Sequence, residues 1–298
     1  MRLAIVLLFA VACGGHGRKG GPATPTRPLT LVERMMALLP DGVQVLIEVD
    51  LDRLRGNAAV GPLATKWLAS VGAEQKLPGL PVAVQGSPLA DASYIMLASY
   101  GVGTAQAATV TILVTKQDVP NAVRVAPDLV VLGPAEWVGQ IETRAGIAAQ
   151  NPIMPSLDLM PLRDHAMPAQ APGATLRVTA RLSFDARVAL ARQLGVDTAP
   201  AQLSIWGDVV DDLVIIVDAD AADPGDPKNK DAANRLTKTL NKLLVGAARE
   251  PAIRALGLPA TLNEAKMVVQ KTWVRTILEV GPHHLARVVE RARAMLGT

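Results

Sequence analysis

Cysteine is almost absent from this chain: Cys13 is the one example in 298 residues. An intramolecular disulfide framework is therefore excluded, as are thiolate metal sites, which need several cysteines at ligand spacing. Aromatic residues make up 3% of the sequence, too few to furnish stacking platforms for bases or sugars. There is no dense basic block, and 30 basic against 27 acidic side chains leave a net charge of +3, so no nucleic-acid partner is expected. Beyond the first dozen residues no apolar run reaches membrane-spanning length, which excludes a polytopic membrane protein. Apolar material is abundant: half of all residues, with mean hydropathy +0.26 and 19% charged. That balance excludes wholesale disorder and supplies enough core for one large domain or two modest ones.

Arg2 is followed by the apolar stretch 3–12 and then by Cys13, giving a positive n-region, a short h-region and small residues before a cut. On Ala10-Val11-Ala12-Cys13 the chain resembles a bacterial lipoprotein, this tetrapeptide standing where that family carries its lipobox. Ala10 departs from the leucine most frequent in that position. The resemblance implies cleavage before Cys13, diacylglyceryl transfer to its thiol and acylation of the new amine, hence attachment to a membrane. Gly14 after the cysteine implies, by the same resemblance, the outer membrane rather than the inner, with the body periplasmic or surface-exposed. Several acyl chains are also what stable anchoring requires. Residues 14–28 contain five glycines and three prolines without apolar periodicity, a tether whose typical reach is on the order of 20 Å. The expected organisation is a signal peptide over 1–12 and a lipidated cysteine with tether over 13–28.

The remainder reads as α+β: two similar halves of mainly antiparallel sheet with helices packed on one face. The halves span 29–150 and 174–298, joined by a proline-rich linker over 151–173. In the first, Thr30 and Glu33 have capping-box spacing before a helix that ends at Pro40. Val43, Val45, Ile47, Val49 and Leu51 alternate on a strand, a helix follows over 62–71, and strands are predicted over 93–100, 109–115 and 129–132. The last breaks at Gly133-Pro134 into a helix. In the second half, Leu176, Val178, Ala180 and Leu182 alternate, and Ser183 opens a helix that Gly195 ends. A hairpin is predicted over 202–218, turning near Gly207-Asp208. Strands over 267–270 and 274–280 lead to Gly281-Pro282 and a C-terminal helix, echoing the end of the first half. A long helix from Asp226 to about Arg249 has no counterpart. The opening Leu39-Pro40-Asp41-Gly42-Val43, with Val49-Asp50-Leu51 and Leu54-Arg55, resembles an uncharacterised group of exported bacterial proteins and implies no activity.

No chemical motif stands out. His283 and His284 are adjacent, so on a helix they diverge and cannot chelate from one face; with His16 and His165 they complete the histidines, and no metal is expected. Asp218, Asp220, Asp223 and Asp226 are clustered, but an EF-hand counted from Asp218 would have Ala222 at position 5, Asp223 at 6 and Asn229 at 12. A polar turn ending in Asp226 as helix cap accounts for them. Glu48 and Asp50 share the polar face of one strand, and if the halves pack pseudo-symmetrically Arg177 and Arg181 oppose them. No Gly-x-Ser-x-Gly, dinucleotide fingerprint or phosphate loop is present, so no cofactor is expected. Arg235, Lys238, Lys242 and Arg249 fall near one stripe of the long helix, a candidate face for an acidic partner, either an envelope protein or an anionic surface. The function expected is a lipid-anchored extracytoplasmic binding or scaffold protein rather than an enzyme. The alternatives are a carrier of an apolar ligand or lipid between envelope compartments, and a hydrolase whose site is hidden by sequence order.

Overall fold

The computed structural model describes residues 28–70, 87–150, 159–221 and 230–295. Cys13, residues 14–27 of the tether, Asp223 and Asp226 lie outside them. Helix α1 (Leu31–Leu38) begins in the capping box its spacing predicts: the Thr30 hydroxyl accepts from the Glu33 N–H, and the Glu33 carboxylate accepts from the Thr30 N–H at 2.8 Å. Strand β1 (Val45–Asp50) follows, then α2 (Leu51–Gly56), α3 (Gly61–Ser70) and α4 (Ser87–Asp91). Strands β2 (Tyr94–Tyr100), β3 (Ala108–Val114), β4 (Val123–Ala126) and β5 (Leu129–Leu132) complete the first half with α5 (Ala135–Gln150). After α6 (Met160–Arg163), the second half runs β6 (Leu176–Arg181), α7 (Phe184–Leu194), β7 (Gln202–Val209), β8 (Leu213–Asp220) and α8 (Lys230–Arg249). Two short helices, α9 (Pro251–Leu256) and α10 (Pro259–Asn263), precede β9 (Lys266–Gln270), β10 (Trp273–Val280) and α11 (Pro282–Met295). None of these helices is long and apolar enough to cross a membrane.

All ten strands form one sheet in the order β4-β5-β3-β2-β1-β6-β7-β8-β10-β9, antiparallel throughout. Counted outward from the β1–β6 seam, each half places its first, second, third, fifth and fourth strands in the same sequence. The two expected halves are thus related by a pseudo-two-fold axis at the seam, and α8, between the third and fourth strands, has no counterpart in the first half.

Register sorts the side chains onto two faces. Face A holds Leu46, Met96, Ile112 and Val131, packed with Met35, Met36 and Leu38 of α1 and Val138 and Ile141 of α5. Face B holds Ile95, Leu113 and Val130 against Leu68 of α3 and Leu89 of α4. It continues through Val178, Leu203, Ala219 and Val274 beneath Ala232, Ala233 and Leu236 of α8. The helices therefore divide between both faces instead of sharing one. The physical reason is plain in β5, whose four residues are all buried: a strand apolar on both sides needs cover on both.

Local differences have similar causes. The β7–β8 turn lies at 210–212, not at Gly207-Asp208, because Gly207 pairs with Ile215 and Asp208 with Val214 inside the ladder. Strand β4 was hidden in the sequence by its length and by a bulge between Arg124 and Ala126. Gly195 ends α7 as expected, at φ 64°, where a side chain would be strained.

Candidate functional site: a charged half-face beneath a strap

On the second half, face A changes character. Its inward positions include Glu48 of β1, Arg177 and Thr179 of β6, Ser204, Trp206 and Asp208 of β7, Ile216 and Asp218 of β8 and Arg275 of β10, with Ile216 packed against Trp206 and the strap's Ala166. All but Arg275 are buried. Residues 159–175, the latter part of the expected linker, cross this face as a strap that buries Leu159, Leu162 and Ala166.

At the seam, Glu48 is wholly out of solvent and accepts from Arg163 Nε and Nη2 at 2.8 and 2.9 Å and from the Tyr94 hydroxyl at 2.9 Å. Burial and the Glu48 charge push the Tyr94 phenol far above its usual range, so it remains a donor. Burial works against the Arg163 cation, but the Glu48 hydrogen bonds and charge outweigh it and hold the guanidinium more firmly protonated. Arg177 sits directly across the ladder from Glu48, as the pseudo-symmetric packing predicts. Its own bonds go to the Pro172 carbonyl at 2.6 Å, the Met167 sulfur at 3.3 Å and Asp164 at 3.5 Å, while burial and the neighbouring Arg163 lower its pKa. The remaining part of that expectation fails. The Arg181 N–H donates to the Gln44 carbonyl at 3.1 Å, at the opposite end of β1 from Asp50, and Asp50 caps α2 by accepting from the Arg53 N–H at 2.8 Å.

Further out, Asp218 accepts from Arg275 Nε and Nη2 at 2.8 and 2.6 Å and lies 2.7 Å from His165 Nδ1. The His165 ring stacks on Trp273 with centroids 3.9 Å apart and 15° between planes. The Ser204 hydroxyl accepts from the Ala166 N–H at 3.1 Å and faces the Arg163 carbonyl at 3.4 Å. Trp206 Nε1 donates to the Gly173 carbonyl, and Asp208 accepts from Arg53 at 2.7 and 2.5 Å and from the Thr175 hydroxyl at 2.8 Å. Burial alone would raise the Asp208 pKa; the Arg53 and Thr175 hydrogen bonds reverse that and hold it below the ordinary carboxylate range.

The chemistry available follows from these commitments. His165 and Asp218 form the orienting half of a general-base arrangement, but Ser204, the neighbouring hydroxyl, is engaged with strap backbone. Glu48 is fixed by three donors. What remains presented to solvent is a ledge: His165, with 39% of its side chain exposed, Arg275 with 35%, and the partly exposed Trp273 and Ile277.

Sequence reasoning missed the strap because a proline-rich segment reads as spacer. A signal was nevertheless there. The second-half strands place polar residues at alternate positions (Arg177 and Thr179, Ser204 and Asp208, Asp218 and Asp220), the period of an inward face that is not apolar. Asp218, considered above for calcium, is committed to Arg275 and His165. His284 bridges α11 to the segment before it, its ring nitrogens lying 3.0 Å from the Gly257 carbonyl and 3.4 Å from Thr261. Arg235, Lys238, Lys242 and Arg249 all lie exposed on α8, and Lys242 donates to the Gly195 carbonyl at the end of α7 at 2.6 Å.

No protein-family model matches the chain, and no curated protein does. Among solved structures, crystal form III of TP0453 is similar with TM-score 0.41 and 11% identity, covering 85% of this chain and 96% of that one. Crystal form I of TP0453 gives TM-score 0.43 and 7% identity, covering 87% and 97%. A likeness at that level carries no argument about function.

Proposed function

We propose that this protein is a lipid-anchored extracytoplasmic binding or scaffold protein that engages its partner through the uncovered ledge of face A, with the outer membrane as its destination. One observation carries the binding site. In the first half α5 follows the fifth strand and covers face A, whereas its counterpart α11 packs Leu285 and Val289 against Val280 and Leu213 on face B. The ledge of His165, Trp273, Arg275 and Ile277 is thereby left at the surface. A stacked tryptophan beside an arginine held by a buried carboxylate is a preorganised patch of the residue types that dominate protein interfaces. The lipobox-like Ala10-Val11-Ala12-Cys13 supports the anchor.

The test has two arms. Mass spectrometry of the mature N-terminus should find acylated Cys13, and Cys13→Ser should release the protein from membranes. Native mass spectrometry of gently extracted protein should find a protein-bearing complex that Trp273→Ala with Ile277→Lys abolishes while circular dichroism is unchanged. A complex indifferent to those changes, or a bare monomer, would refute the ledge. A bound lipid would favour the carrier reading.

A further inference from the structure

The two outer edges of the sheet are equivalent under the pseudo-two-fold, yet only one is bulged. On β4 a bulge separates Arg124 from Ala126, and the Arg124 guanidinium folds over the adjoining loops, donating to the carbonyls of Thr115, Gln117 and Pro127. A bulge and a charge are the usual means of preventing strand addition. Strand β9 has no bulge, and its one charge, Lys266, stands at its first residue, away from the valines. Its five residues pair with β10 without a register shift, and no described residue pairs with its outer side. Val268 and Val269 are 47% and 46% exposed, so an apolar side chain stands open on each face of the same edge.

We propose that β9 is a homodimerisation edge, two copies pairing antiparallel about a two-fold axis at Val268 to make one sheet of both. The occupant is a second copy because β9 is complementary to itself. A two-fold normal to the sheet keeps each residue on its own face, so it must pass through a residue and not between two. Centred on Val268, it sets Val268 against Val268, Met267 against Val269 and Lys266 against Gln270, and brings Glu264 of one copy alongside the Lys271 turn of the other. Apolar meets apolar and no lysine faces a lysine. Centring on Val269 instead puts Lys271 opposite Met267, and centring on Met267 puts Lys266 opposite Val268; each places a charge against an apolar side chain. One short edge buries less than the ~800 Å² per partner of a standard interface, so the dimer is a concentration-dependent one.

The full chain carrying Cys13→Ser should sediment as a monomer when dilute and shift toward dimer at high micromolar concentration. Val268→Lys should abolish the shift by setting like charges across the axis, and mixing Val268→Lys with Val268→Glu should restore it as a heterodimer. Val268→Cys should oxidise to a covalent dimer at least tenfold faster than Val210→Cys, a control whose valine is 58% exposed elsewhere. A chain that stays monomeric throughout, or trapping at Val268 no faster than at Val210, would overturn the proposal. So would a dimer that Val268→Lys leaves intact.

Discussion

Face A presents two interiors on one continuous sheet. In the first half it is apolar: Met96, Ile112 and Val131 lie under α1 and α5, and Trp137 stacks on Tyr100 at 3.9 Å. In the second half the same face carries Glu48, Arg177, Ser204 and Asp218, closed by a strap whose Arg163 and Asp164 supply counter-charges and whose His165 lies within hydrogen-bond distance of Asp218 and stacks on Trp273. The first interior is held by packing, which tolerates substitutions that keep volume. The second is held by pairing, in which each group is affordable only while its partner is present. The halves share a topology and differ in what a single substitution does to them.

The largest expected effect breaks the ionic side. Arg163→Ala strands Glu48 in the interior and should lower unfolding stability by about 3–5 kcal/mol in urea titrations. Glu48→Leu combined with Arg163→Met should recover most of that loss, because it converts the seam into the kind of interior the first half already has. If the double variant is as unstable as Arg163→Ala, the two interiors are not interchangeable. On the apolar side, Met96→Ala should cost about 2–5 kcal/mol through the cavity it leaves, and Ile112→Val about 0.5–1.5 kcal/mol. Since one sheet spans both halves, these changes should move the same unfolding transition. Separate transitions would show that the halves unfold independently.

Acid should sharpen the contrast. Asp208 is depressed by Arg53 and Thr175, and Asp128, in the first half, by its hydrogen bond to the more exposed Arg34. A carboxylate whose folded pKa lies below its unfolded value binds protons more readily when unfolded. Its contribution is therefore present above the unfolded value of about 4 and is lost as pH falls through the folded value. Asp208→Asn should flatten the acid limb of stability against pH; Asp128→Asn should flatten it less, its partner being better solvated. An equal effect would mean that burial of Asp208 adds nothing. A smaller change is expected at Lys242→Ala, which removes a cation from the C-terminal end of α7 and should cost less than about 1 kcal/mol. Arg235→Ala and Lys238→Ala should stay within about 0.5 kcal/mol in the same assay.

What was legible in the sequence follows the same division. The alternation of Val45, Ile47 and Val49 announced β1, and the capping box at Thr30 and the glycine at Gly195 fixed two helix ends, because each is a local preference. The echo of Gly133-Pro134 in Gly281-Pro282 pointed to the duplication that the strand order displays. It also misled, since it equated α5 with α11 without showing that they lie on opposite faces. The candidate site was hidden for a further reason. Glu48 meets Arg163, and His165 meets Asp218, across long stretches of chain, and no spacing rule connects residues brought together only by the strap crossing the sheet. Glu48 and Arg177 were foreseen as neighbours because strand pairing is a symmetry argument; Arg163 was not, because the strap lies outside the symmetry.

The central position of the β1–β6 seam has a consequence for how the chain assembles. Every other strand pairing joins elements nearer to each other in sequence, while Val45 must find Ala180. Close pairings form early and distant ones late, so the β1 edge is expected to stand open while the second half is still being delivered or folded. During that interval Glu48 is an inward-pointing charge on a bare strand, and such a charge discourages pairing with any neighbour that brings no cation. The carboxylate that later anchors the strap thus first serves as a guard, keeping β1 vacant until Arg163 and Arg177 arrive with the proper strand.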